Sequence, residues 1–273
     1  MTKSDRLAQF FQSDGKTVIV PIDHGTAIPV PGLEQPAALI EALNPHADGY
    51  VVNYGVARAC AAQLAGKGVC FRTDVYKPAH HDNPDSGSYL VYGAADALAC
   101  GAGAVMNMLY LHHPNEPEIF REAADLIADC RRSGLPVILE TLPYGIGRPD
   151  DYTLENIGFA VRAAAELGAD VVKTAFPTGA SADDFRRIVD VCFVPVIVLG
   201  GAATGDDAAL LGMVKNAVDA GAAGIAVGRN VWQHPNPPGI AAALKAVVHE
   251  GASAESAAQI AAGDGLPPKA WRG

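Results

Sequence analysis

Basic residues are in the minority in this sequence, and long apolar runs are missing. Twenty Lys and Arg stand against thirty Asp and Glu, a formal net charge of -10. A field of that sign repels phosphate backbones and anionic headgroups, which excludes nucleic acid and membrane surfaces as expected partners. It leaves room for a small phosphorylated ligand held locally by amides and an arginine. No apolar stretch approaches the roughly 18 residues needed to span a bilayer. The opening run Met1-Thr-Lys-Ser-Asp-Arg-Leu7 lacks the apolar segment of a signal peptide. Cysteine is sparse as well: Cys60, Cys70, Cys100, Cys130 and Cys192 form no CxxC pair. An odd, scattered set reads as free thiols in a reducing compartment, so a cytoplasmic setting is expected. Gly-x-Gly-x-x-Gly is missing after the first strand, which argues against an open dinucleotide-binding sheet. His-x-His and Asp-x-His groupings are lacking too. The adjacent pairs His80-His81 and His112-His113 cannot easily place both rings on one ion, so neither a metal nor another cofactor is expected.

What the chain does have is core and alternation. Its 273 residues are 49% hydrophobic and include 29 glycines, enough for a large core with many tight connections. Strand-like runs fall at 17–22, 49–53, 68–73, 104–109, 136–142, 170–175, 194–199 and 224–227. Helical periodicity follows each of them, at 34–43, 56–65, 91–100, 116–133, 154–167, 182–191, 206–220 and 238–249. Thr153 and the run Ser181-Ala-Asp-Asp184 supply N-terminal capping signals. A short extra helix is expected at 230–233 and another at 253–262. The stretch 74–88 is too rich in turn formers for a regular element. Eight strand–helix units without a change in composition predict an α/β fold, a single (β/α)8 TIM barrel spanning residues 1–273.

One strand is anomalous. Ala169-Asp-Val-Val-Lys-Thr-Ala-Phe176 places Lys173 in the middle of an apolar, β-branched run. Desolvating an ammonium is costly, so the group must pair with a carboxylate, reach solvent or lose its proton. A neutral amine is a carbonyl nucleophile.

Chemistry in such barrels sits at the C-terminal ends of the strands. Asp23 closes the first strand, where a carboxylate holds a substrate hydroxyl, accepts a proton or caps the following loop. His24 points the other way by alternation and ranks behind it as a substrate contact. Glu140 lies in the fifth strand, as ion-pair partner of Lys173 or as proton shuttle. Gly200-Gly201 and Gly228-Arg229 end the seventh and eighth strands, where barrels of this kind seat phosphate. Lys77, in a polar and Pro-rich setting, is a further candidate contact.

Four motifs in order carry a family resemblance: Val18-Ile-Val-Pro-Ile-Asp-His-Gly25, Leu167-Gly-Ala-Asp-Val-Val-Lys-Thr174, Val194-Pro-Val-Ile-Val-Leu-Gly-Gly201 and Ile225-Ala-Val-Gly-Arg-Asn-Val-Trp-Gln-His234. Val247-Val-His-Glu-Gly251 matches too. Over nearly its whole length the chain resembles the class I aldolases that include archaeal-type fructose-bisphosphate aldolase, aminodideoxyheptulosonate synthase and the thiolase-aldolase LsrF. That resemblance implies a Schiff-base lysine at Lys173, an aspartate at Asp23 and phosphate binding by Gly200, Gly201, Gly228 and Arg229. It also implies a phosphorylated ketose or small dicarbonyl substrate, handled by aldol cleavage or by transfer to an acceptor, in a ring-shaped homo-oligomer such as a decamer. Such relatives commonly carry Tyr-Pro-Arg-Gly at the end of the fifth strand, the tyrosine donating a proton. Here the run is Leu142-Pro143-Tyr144-Gly145. The acid/base role then falls to Glu140, as in tagatose-bisphosphate aldolases, with Asp23 and Tyr144 as the other candidates.

Overall fold

The computed structural model describes residues 1–77, 87–145 and 149–263. Eight short strands, buried along almost their whole length on both faces, line up parallel and close on themselves. They are β1 Thr17–Pro21, β2 Gly49–Val52, β3 Gly68–Arg72, β4 Ala104–Leu111, β5 Val137–Pro143, β6 Val171–Thr174, β7 Val196–Leu199 and β8 Gly224–Ala226. Closure is by β8 on β1, with Val18 opposite Ile225. Helices between the strands cover the outside, as the apolar periodicity predicts. The longest, Glu116–Ser133, ends at Gly134 with φ 64°, a conformation that favours glycine. Thr153 caps Leu154–Leu167 through Asn156 N, and Ser181 and Asp184 form a reciprocal capping box at Ala182–Val191.

Side chains alternate along each strand, so every second residue faces the barrel axis. Ile19, Val51, Cys70, Met106, Ile138, Val171 and Ile197 form that inner layer, buried apart from the core beneath the helices. A short N-terminal helix, Lys3–Leu7, which the periodicity did not predict, delivers the fully buried Phe10 to the N-terminal end of the barrel. Glycines make room for that ring. A Cβ on Gly68 would sit 2.5 Å from Phe10 Cδ1, and one on Gly49 2.8 Å from the same atom.

Three expectations need correction. The stretch after β3 is not wholly irregular: Asp74–Lys77 and Gly87–Leu90 pair antiparallel as a hairpin outside the barrel, with Val75 opposite Tyr89. A buried bond from Ser88 Oγ to Asp74 Oδ2 at 2.7 Å ties the two strands. His80 and His81 lie outside the described residues. The helix expected at 91–100 starts late, at Ala94, and the one expected at 56–65 spans Tyr54–Ala59, capped by Asn53. Among the described residues no helix is long and apolar enough to cross a membrane.

Candidate active site

Two residues beyond the inner apolar layer, alternation brings the next inward positions to the mouth: Arg72 on β3, Glu140 on β5, Lys173 on β6 and Leu199 on β7. Glu140 and Lys173 are register partners on adjacent strands. Their side chains run in parallel, and Lys173 Nζ meets Glu140 Oε1 at 2.7 Å. Both residues are 5% exposed, so each charge depends on the other for the solvation it has lost. Met106 Sδ lies 3.9 Å from the same nitrogen.

Glu140's other oxygen, Oε2, accepts from Arg72 Nη1 at 2.8 Å. This guanidinium is 1% exposed and meets two further carboxylates. Its Nε is 2.6 Å from Asp74 Oδ1 and its Nη1 is 3.4 Å from Asp23 Oδ2. The Tyr76 ring covers it, 4.4 Å from Arg72 Cζ to the ring centroid. Burial alone would raise the Glu140 carboxyl, but Lys173 and Arg72 outweigh it and hold the group below the usual glutamate range. Asp23 is depressed in the same way: burial raises it, while His24, Arg72 and Lys173 together pull it down. For Asp74 burial wins over Arg72 and Ser88, and its carboxyl is raised.

A cavity of about 460 Å³ opens above these groups. Asp23, His24, Glu140, Lys173, Gly200, Gly201, Gly228 and Arg229 all line it, so eight of the ten residues singled out from sequence converge on one space. His24 reaches the cavity because β1 ends at Pro21 and alternation ends with it. A 3-10 turn at His24–Thr26 follows, and the His24 ring stands edge-on to Trp232 and Tyr76, with centroids 5.4 and 6.4 Å away.

Two residues do not arrive. Tyr144 would face inward if β5 continued, but the strand stops at Pro143 and Tyr144 turns to φ 56°. Its ring lies 5.2 Å from that of His112 and is not part of the cavity wall. Leu142, Tyr76 and Tyr152 occupy that side instead, with Tyr152 Oη donating to Gly145 O at 3.0 Å. Lys77 also stays off the cavity, its Nζ donating to Thr26 O and fastening the hairpin to the turn after β1.

Glycine-rich loops wall the cavity where β7, β8 and β1 meet. Gly228 has no room for a side chain, since a Cβ would fall 2.7 Å from Pro21 O and 3.0 Å from His24 Cε1. Arg229 Nε is buried without a hydrogen-bond partner, a donor left available beside the cavity. Asn230, in the short helix Arg229–Trp232, clamps the opposite loop by donating to Gly200 O at 2.9 Å and Ala202 O at 3.1 Å. Sequence reasoning missed Asn230, Arg72 and Tyr76. Arg72 carried a related signal, a cation at the end of an apolar run where Lys173 stands inside one.

Known proteins share this fold and about a third of this sequence. Residues 17–234 match the DeoC/LacD family aldolases. The 2-amino-3,7-dideoxy-D-threo-hept-6-ulosonate synthase of Halobacterium salinarum is 34% identical over 261 residues, 94% of this chain and 96% of that protein. The fructose-bisphosphate aldolase class 1 of the same species is 35% identical over 266 residues, 89% of this chain and 94% of the other. An archaeal fructose-1,6-bisphosphate aldolase, solved with its catalytic lysine covalently bound to the carbinolamine intermediate of the substrate, superposes with a TM-score of 0.80 at 27% identity, covering 90% of this chain and 99% of that one. From the extent of these matches, this chain belongs to the DeoC/LacD family of aldolases.

Proposed function

We propose that Lys173 forms a Schiff base with the carbonyl of a phosphorylated ketose, and that the chain cleaves or forms one C–C bond through that imine. The observation carrying this reading is the 2.7 Å contact of Lys173 Nζ with Glu140 Oε1, inside the cavity that Gly200, Gly201, Gly228 and Arg229 also line. The phosphate seats against those glycine amides and the Arg229 guanidinium, which brings the carbonyl over the amine. Glu140 takes a proton from Lys173, and the freed amine adds to the carbonyl carbon. A proton then passes from the new nitrogen centre to the former carbonyl oxygen to give the carbinolamine, and the proton held by Glu140 goes to that hydroxyl, which leaves as water and produces a protonated imine. Removal of the proton from the hydroxyl β to the imine carbon breaks the adjoining C–C bond. Its electron pair moves into the imine to give an enamine, and an aldehyde leaves. Protonation at carbon and hydrolysis release the ketone and restore Lys173. Asp23 Oδ1, 3.4 Å from His24 Nδ1 and not satisfied by a hydrogen bond there, is suited to accept from a substrate hydroxyl.

Borohydride added with a ketose phosphate is expected to leave a mass adduct on Lys173 that Lys173→Met abolishes. No adduct with any ketose or aldehyde phosphate rejects the proposal. Because Leu142 stands where relatives have a proton-donating tyrosine, the products are compared with and without an acceptor aldehyde. Turnover that requires the acceptor assigns transfer in place of simple cleavage.

A further inference from the structure

The geometry points to Arg72 as the positioning residue of this site: it holds Glu140 by one carboxylate oxygen so that the other faces Lys173, and its charge keeps that glutamate able to take the lysine's proton. The inference rests on the Schiff-base reading above and goes beyond it, because Arg72 lies behind Glu140 and does not line the cavity.

A guanidinium suits the task because its donors form a rigid fork. One edge faces Asp74: Nη2 donates to Oδ2 at 3.2 Å, and Nε lies in ion-pair contact with Oδ1 at 2.6 Å. That two-point grip, with the Tyr76 ring stacked over the plane, fixes the orientation of the fork. The remaining donor, Nη1, then reaches Glu140 Oε2 at 2.8 Å, with Asp23 Oδ2 at 3.4 Å on its other side. A glutamate held by Lys173 alone would be free to rotate about its last torsion. With Oε2 occupied by Arg72, only Oε1 remains to receive the proton, and it sits where the amine is. Ser88 on the far strand of the hairpin completes the chain by donating to Asp74 Oδ2 at 2.7 Å. The hairpin is thereby coupled to the proton acceptor through a single cation.

Several groups face Glu140. They are Lys173 from β6, Arg72 and Cys70 from β3, Asp23 and its neighbour His24 after β1, Asp74 and Tyr76 from the hairpin, and Tyr110 from β4. Arg72 and Lys173 are the cations of that set. Removing Arg72 takes away one of the two charges that favour the carboxylate, while Asp23 and Asp74 remain to disfavour it. The glutamate then protonates at higher pH, and the amine loses its base in the acidic part of the activity profile.

The test is the pH dependence of kcat/KM for Arg72→Met, Arg72→Gln and Arg72→Lys, each normalised to the number of borohydride-trappable Lys173 sites. The acidic limb is expected to move up by about one pH unit or more. The normalised kcat/KM is expected to fall on the order of 10- to 100-fold, the scale of a displaced catalytic group. The lysine variant is expected to move in the same direction, because a single ammonium satisfies Asp74 and cannot also reach Glu140. A purely structural arginine would lower the melting temperature and the trappable fraction, yet leave the limb in place. An acidic limb at the wild-type position in whichever variant folds therefore overturns the inference. If the wild-type protein traps no substrate, the Schiff-base reading fails first. Wild-type trapping with unmoved limbs in the variants defeats the role of Arg72 alone.

Discussion

Charged side chains placed in apolar strands have to be matched in space, and that rule explains both what could be read at the residue level and what could not. Lys173 and Glu140 stood out because each interrupts a run of β-branched or aliphatic residues, where an unmatched charge is costly. Arg72 obeys the same rule, but it closes β3 beside a polar segment, where a long side chain ordinarily runs out to water. Only the folded hairpin, with Tyr76 over the guanidinium, closes that route. Tyr144 failed for a different reason: alternation holds within a strand, and the chain leaves β5 one residue earlier. These placements give opposite expectations for two substitutions. Glu140→Gln removes the carboxylate 2.7 Å from Lys173, the proton acceptor proposed above, and is expected to lower kcat by about 10²- to 10⁴-fold. Tyr144→Phe, on a ring turned toward His112, is expected to keep the wild-type kcat/KM. Steady-state rates on both variants with the substrate that traps on Lys173 check the pair.

At the level of elements, the sequence signal was strongest where periodicity was long, as in Glu116–Ser133, and weakest where pairing decides. The hairpin Asp74–Lys77 with Gly87–Leu90 is short, and its register is set by cross-strand partners rather than by its own composition. The N-terminal helix is five residues long, too short to show a period. Its importance lies in Phe10, which fills the end of the barrel opposite the cavity and leaves no space over Gly68. Gly68→Ala is expected to cost about 1–3 kcal/mol by overpacking, and Phe10→Ala about 3–5 kcal/mol by opening a void. The added methyl of the first partly fills the void of the second, so the double variant is expected to lose less than the sum. Urea denaturation of the four proteins measures this coupling, and strict additivity would show that the two positions do not share space.

For the molecule as a whole, eight strand–helix units were countable from the sequence, but what locks the ring lay in contacts between remote segments. His249, in the last turn of Pro237–Glu250, bridges Asp14 before β1 and Asp48 before β2, with Nδ1 at 2.9 Å and Nε2 at 3.0 Å. Asp48 in turn accepts from Val18 N at 2.6 Å. Hydrogen bonds to Asp48 and Asp14, against an opposing effect of burial, raise the imidazole above its ordinary value. A raised value means stabilisation that is complete below about pH 6.5 and is lost as pH climbs through the folded-state value. The melting temperature of wild type is accordingly expected to exceed that of His249→Gln near pH 6, with the gap narrowing toward about pH 9. A gap that stays constant across this range would refute the charged bridge. The same remoteness governs the Gly228 side of the cavity, since the Trp232 indole donates to Pro21 O at 3.0 Å and Gly228 packs against Pro21 and His24. During synthesis the first strand therefore waits for nearly the last. A growing chain has Lys173 in hand long before the Gly228 loop can close against Pro21 and His24, so an incomplete polypeptide on the ribosome carries that lysine without the finished cavity around it.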